Sequence, residues 1–299
     1  MKKIKIVLGV ILPAALIWYL FVKPYDYLVA FNVRALPGTI NQSIKTWNAS
    51  LQNAKIIESE DLALTQELIF NDSTHIYHWE ISPISDTTSR VKVYVRDIDH
   101  SLNNKIKIPF SNSEFEDRTR NTLMDFNRKL KDHINSFTVE ITGKDELPAN
   151  YCACTAVSTT QFKKAQGMMH NYPLLSSFLL EHNVSLNGQP FLEVTNWSRE
   201  TDSLEYHFCF PIILSGELPR HPEIQYKQFS AKNAVKAIYH GNYLTSDRAW
   251  YELLDYARKK GIPVTGHAVE VFYNNPNMGG DELRWKTEVY MPIKDDAHE

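Results

Sequence analysis

The chain has 299 residues, 43% hydrophobic and 22% charged, with a formal net charge of −3. That length and composition suit two folded domains and exclude a disordered scaffold. No Lys/Arg cluster and no helix-turn-helix pattern occurs, so the sequence offers no electrostatic support for a nucleic-acid partner.

Residues 6–22 form an uncharged apolar run with lysines on both sides, and 17 residues just suffice to span a bilayer. No small-x-small cleavage site follows and no cysteine is placed for lipid attachment, so residues 1–24 read as a retained transmembrane anchor. Lys2, Lys3 and Lys5 outweigh Lys23 and Arg34, which favours a cytoplasmic N-terminus. The expected setting is a single pass through a bacterial inner membrane with a periplasmic soluble part. Trp18, Tyr19, Tyr25 and Tyr27 suit the membrane interface.

A strand, a turn at Pro37-Gly38 and a short helix carrying Ile40, Ile44 and Trp47 on one face follow the anchor. Residues 61–70, 74–85, 90–100 and 105–110 alternate apolar and polar side chains, as an antiparallel meander requires. Phe115, Leu123, Phe126, Leu130 and Ile134 then lie on one stripe and predict a long amphipathic helix. This order of elements over residues 25–146 resembles the helix-grip fold of the polyketide cyclase/START-like superfamily. The resemblance implies an apolar cavity between sheet and long helix, with a filled core as the alternative. The polar stretch TGKDELPAN, residues 142–150, reads as the linker to the next domain.

Residues 147–299 state one pattern twice. FLLEHNVSLNGQP from Phe178 aligns with YARKKGIPVTGHA from Tyr256 at an offset of 78, with Gly188 under Gly266. After a three-residue insertion in NNPNMGGDE the offset becomes 81, and FCFPI aligns with VYMPI. The pattern predicts a duplicated strand-helix-strand-strand module with a cleft between its halves, in an α+β chain. In the second copy Ser246 or Asp247 is placed to cap a helix whose inner face holds Trp250, Leu253, Leu254 and Ala257, and Gly261 is placed to end it. Glu270 breaks the symmetry, because its counterpart is Leu192. Cys152 and Cys154 share one face of a strand and Cys209 lies on the last strand of the same copy. They read as small buried hydrophobes, with a Cys154–Cys209 bridge as the alternative in an oxidising compartment. No cofactor, phosphate-loop or metal-ligand motif is legible.

Gly241 and Tyr243, then Glu270-Val271-Phe272 with Asn274-Asn275-Pro276, then Thr287-Glu288 through Pro292, resemble the GyrI-like family, which includes effector-binding domains of multidrug-responsive transcription activators. Phe272 stands where the family has tyrosine. The resemblance implies a groove for small, often cationic, aromatic molecules, with the strand glutamate facing the ligand. A carboxylate among aromatic rings suits a lipophilic cation. The expected ligand-binding residues are Glu270, Tyr239, Tyr243, Trp250 and Phe272, with Trp197, Tyr206 and Phe208 from the first copy. The function read from these residues is membrane-anchored binding of an amphipathic small molecule, for sensing, sequestration or delivery. Two alternatives stand beside it: hydrolysis of reactive electrophiles with Glu270 as base, and a structural role in the cell envelope with Trp285, Trp197 and Phe272 filling the cavities.

Overall fold

The computed structural model describes residues 11–294, and the chain divides into two compact units between Asp132 and His133. Residues 11–22 are helical, the last turn, Trp18–Val22, being a π-helix. The expected anchor over residues 6–22 lies partly outside the described residues. Among the described residues no helix is long and apolar enough to cross a membrane.

The first unit holds an antiparallel five-stranded sheet of β1 (Tyr27–Val33), β2 (Ala54–Ser59), β3 (Ala63–Ile69), β4 (Thr74–Pro83) and β5 (Ser89–Asp97), in the order β1-β5-β4-β3-β2. Helix α1 (Pro37–Ala49) starts with proline, whose fixed φ suits the first helical position, and buries Ile40, Ile44 and Trp47. Helix α3 (Glu114–Ile134) buries Phe115, Leu123, Phe126 and Leu130 along the predicted stripe. The rings of Trp47, Trp79 and Phe126 meet at centroid separations of 5.0 to 6.2 Å, so aromatic side chains from α1, β4 and α3 fill the space between sheet and helices. Each indole N–H finds an acceptor: Trp47 donates to Asp125 and Trp79 to Gln66.

Residues 105–110 do not form the predicted strand. They belong to α2 (Ser101–Lys107) and the turn after it. The Lys-Ile alternation serves a helix here because Lys105 is buried and donates to the carbonyls of Leu20 and Lys23, at 3.4 and 2.5 Å, where the first helix ends. Its ammonium also lies 3.9 Å from Asp26. An ammonium at a helix C-terminus satisfies carbonyls that have no intrahelical partner. Edge strand β2 was not foreseen.

The second unit is an eight-stranded antiparallel sheet with two helices against one face. Its strands are β6 (Phe137–Leu147), β7 (Asn150–Thr160), β8 (Phe191–Trp197), β9 (Ser203–Pro211), β10 (Gln225–Phe229), β11 (Lys232–Gly241), β12 (Val269–Phe272) and β13 (Lys286–Pro292). Helix α4 (Lys164–Glu181) follows β7 and α5 (Arg248–Lys260) follows β11. The order β10-β7-β9-β8-β12-β13-β11-β6 places β7-α4-β8-β9 and β11-α5-β12-β13 as mirrored halves about the β8–β12 pair. The offsets of 78 and 81 recur in the contacts: Leu186 bridges Ile212, and Val264 bridges Ile293. Both helices also end alike, with Asn183 and Gly261 at φ of 55° and 64°. These are the two residue types that adopt the left-handed cap most readily.

Residues 142–150 are not a linker. They finish β6 and lead through Pro148 and Ala149 into β7, although β6 ends the strand order on one side and β7 lies next to its other end, beside β10. β6 pairs with β11 of the second copy, while β10, which precedes that copy, pairs with β7 of the first. Each copy thus lends its leading strand to the other.

The cysteines also differ from the expectation. Cys154 and Cys209 face each other across β7 and β9 and are disulfide-bonded, on the sheet face away from the helices, and Cys152 is free and buried beside them.

Candidate functional site

On the helix side of the second unit a groove of about 670 Å3 opens between α4, the 3-10 turn Tyr243–Thr245 and the segment that follows β12. Its walls are mostly apolar, with Met168, Tyr172, Phe208, Tyr243, Phe272 and Trp285 prominent. A concave, largely apolar surface of this volume with a few polar groups is the usual form of a small-molecule site.

Two features of α4 shape it. A Cβ on Gly167 would lie 2.4 Å from the Tyr206 hydroxyl, so only glycine lets that hydroxyl reach the carbonyl of Lys164, at 2.8 Å. Six residues on, Pro173 stands inside the helix, where it cannot donate a backbone hydrogen bond, and it lines the groove. The opposite wall is held by Tyr243. Its hydroxyl accepts from the N–H of Asn274 at 2.8 Å, and its ring packs on Phe272 and Trp285 at 4.9 and 5.6 Å. Burial pushes the Tyr243 hydroxyl up to about 12, so it is a neutral hydrogen-bonding group at physiological pH.

Glu270 lies two positions before Phe272 on the same face of β12, beneath the groove. It is fully buried and fully satisfied. Lys164 Nζ donates to Oε1 and Oε2 at 2.8 and 2.7 Å, Ser246 Oγ to Oε2 at 2.8 Å, and Trp250 Nε1 to Oε1 at 2.6 Å. The third proton of the Lys164 ammonium goes to Ser246 Oγ, at 2.6 Å. Burial pushes the Glu270 carboxyl up, while the charge and hydrogen bonds of Lys164 and the Ser246 hydroxyl oppose it. Four hydrogen bonds from three donor groups occupy the acceptor positions of the carboxylate.

Ser246 and Asp247 do not cap α5 with their side chains. Ser246 serves Glu270, while Asp247 accepts from Gln161 and Arg248. Gln161 in turn accepts from Trp197 at 2.9 Å, and Trp197 packs edge-on against Trp250, 5.0 Å away. The eight expected residues therefore separate. Tyr243, Phe272 and Phe208 line the groove. Glu270, Trp250, Tyr206 and Tyr239 are buried and Trp197 is half-buried, none of them lining the groove, and Tyr239 is tied to Thr245 Oγ1 at 2.8 Å and to the carbonyl of Asn242. Phe272 and Trp285 border an open groove and do not fill a closed cavity.

Lys164 was missed, as were the groove residues of α4. A signal for Lys164 existed: a lysine at the first position of a helix stands against the helix dipole, a cost that an opposite charge must offset.

Residues 154–294 match the family of GyrI-like small molecule binding domains. Among solved structures the chain is similar to the C-terminal domain of EcmrR, at 16% identity over 53% of this chain and 98% of that one, with a TM-score of 0.44. It is similar to SAV2435, in a structure bound to tetraphenylphosphonium, at 10% identity over 52% of this chain and 94% of that one, with a TM-score of 0.37. Over a longer span it is similar to the di-domain ARO/CYC protein StfQ from the steffimycin biosynthetic pathway, at 11% identity, 90% and 85% coverage and a TM-score of 0.23. No curated protein matches the chain.

Proposed function

We propose that this chain, whose residues 154–294 form a GyrI-like small molecule binding domain, takes up an amphipathic small molecule in the groove between α4 and β12 and does so while tethered to a membrane. The observation that carries the binding role is the groove itself, about 670 Å3 walled by aromatic and methionine side chains over the hydrogen-bonded Lys164–Glu270 pair. Such a site needs no catalytic group, and it fits sensing, sequestration or delivery.

Two observations support the tether and a position outside the cytoplasm. Ile11, Leu12, Leu16, Ile17, Phe21 and Val22 expose more than half of their surface, and Lys105 ties the end of that helix to α2, where Ile106 and Phe110 are also exposed. Exposed apolar side chains of this kind suit lipid. The Cys154–Cys209 bridge suits an oxidising compartment.

The test is to titrate the full-length chain with the fluorescent probe N-phenyl-1-naphthylamine while following the methionine methyl resonances by NMR. Met168 and Met169 line the groove and Met124 lies in the first unit. Saturable shifts at Met168 and Met169 with none at Met124 are expected, and their absence across a broad panel of amphipathic probes would refute the binding role.

A further inference from the structure

We infer that Lys164 sets the ligand class: by neutralising Glu270 inside the protein it leaves a groove that selects uncharged aromatic molecules and discriminates against cations. The inference rests on the groove being the binding site, as proposed above.

A carboxylate beside an aromatic groove attracts a cation only while it lacks a partner. Here the partner is built in. Lys164 and Glu270 are both fully buried, and the ammonium spends all three of its protons on Glu270 and Ser246. Ala165, the next residue of α4, and Phe272, two along β12, border the groove, so the pair lies directly under its floor. An ion pair with charges 2.7 Å apart presents only a short-ranged dipole to a molecule above it.

The walls add no charge of their own. Among the described residues that line the groove there is no Asp, Glu, Lys, Arg or His. The polar atoms there are amides and hydroxyls, from Asn242, Asn274, Asn275, Gln189, Ser176 and the tyrosines. A ligand cation would therefore shed water without gaining a counter-charge from the lining. A neutral ligand avoids that cost, and it can use the amides for orientation.

The experiment compares two molecules of the same shape, neutral 9-methylanthracene and cationic 10-methylacridinium. Affinities are measured on the full-length chain in lipid nanodiscs with empty nanodiscs subtracted, and the methyl resonances of Met168 and Met169 report the site. The expected result is that the neutral probe binds at least tenfold more tightly. In Lys164→Met the carboxylate loses its partner, and the cation is expected to gain at least tenfold relative to the neutral probe. Should that variant fail to fold, the matched pair on the unaltered chain decides alone. Equal or tighter binding of the cation, with shifts at Met168 and Met169, overturns this inference and leaves the groove as the binding site. An unchanged preference in folded Lys164→Met removes Lys164 from the role. Failure of both probes to shift Met168 and Met169 overturns the inference together with the reading it rests on.

Discussion

Glu270 of β12 and Leu192 of β8 are direct cross-strand partners at the centre of the eight-stranded sheet. They are also equivalent residues of the two copies, 78 positions apart, so the duplication sets each opposite its own counterpart. Both are completely buried. One copy solves that position with a hydrocarbon side chain, and the other with a carboxylate that needs Lys164, Ser246 and Trp250 to be tolerated.

That relationship predicts a thermodynamic cycle. Glu270→Leu alone strands the Lys164 ammonium in the core and is expected to lower stability by about 3–5 kcal/mol. Lys164→Met alone strands the carboxylate, at a similar cost. The double variant removes both charges and is expected to recover most of the loss, because apolar replacement of a whole buried pair is often nearly neutral. Urea unfolding followed by tryptophan fluorescence measures all three. Additive losses would show that the two groups do not act as a pair.

The Cys154–Cys209 bridge joins residues 55 apart in sequence. In the chain-entropy model a loop of that length is worth about 4 kcal/mol, so replacing both cysteines by alanine is expected to lower the unfolding midpoint clearly. Cys152 behaves oppositely. Burial, aided by Glu193, pushes its thiol up to about 12, so in the folded protein it should resist alkylation that proceeds readily after denaturation. Mass spectrometry before and after denaturation reads this directly.

In the first unit His75 is fully buried among the rings of Phe70, Tyr77 and Phe115. Burial lowers its pKa to about 4 even though Asp97 opposes the shift. The unfolded chain takes up this proton near pH 6.5 and the folded chain only near 4, so stability is full above 6.5 and is lost as pH falls across that window. The contribution is on the order of 2 kcal/mol. A His75→Phe variant should show a flatter dependence of stability on pH between 6.5 and 4, and an NMR titration should find the His75 ring neutral at pH 5.5.

Much of this was legible in the sequence. The offsets of 78 and 81 foretold the mirrored halves, and the stripe from Phe115 to Leu130 foretold α3, because helical periodicity and internal repetition are properties of the string itself. The misreadings share a cause, which is that the deciding partner is distant. Residues 105–110 alternate like a strand but answer to carbonyls 82 and 85 residues away. The polar face of β6 reads as a linker because its partner residues on β11, such as Lys232 opposite Leu147 and Gly241 opposite Phe137, come far later in the chain. Glu270 resembled a ligand reader because Lys164, 106 residues upstream, carries no local mark beyond its unfavourable place at a helix start.

The exchange of leading strands also constrains how the protein is made. When residue 211 has left the ribosome, the first copy already has its helix and three of its strands, yet β7 still has one open edge, because the strand that covers it spans Gln225–Phe229. β6, synthesised before all of these, stays unpaired until β11 arrives. Neither half can close on its own during translation. The sheet is completed only when the second copy is nearly finished, and until their partners β11 and β12 arrive the edges of β6 and β8 must be shielded from other chains.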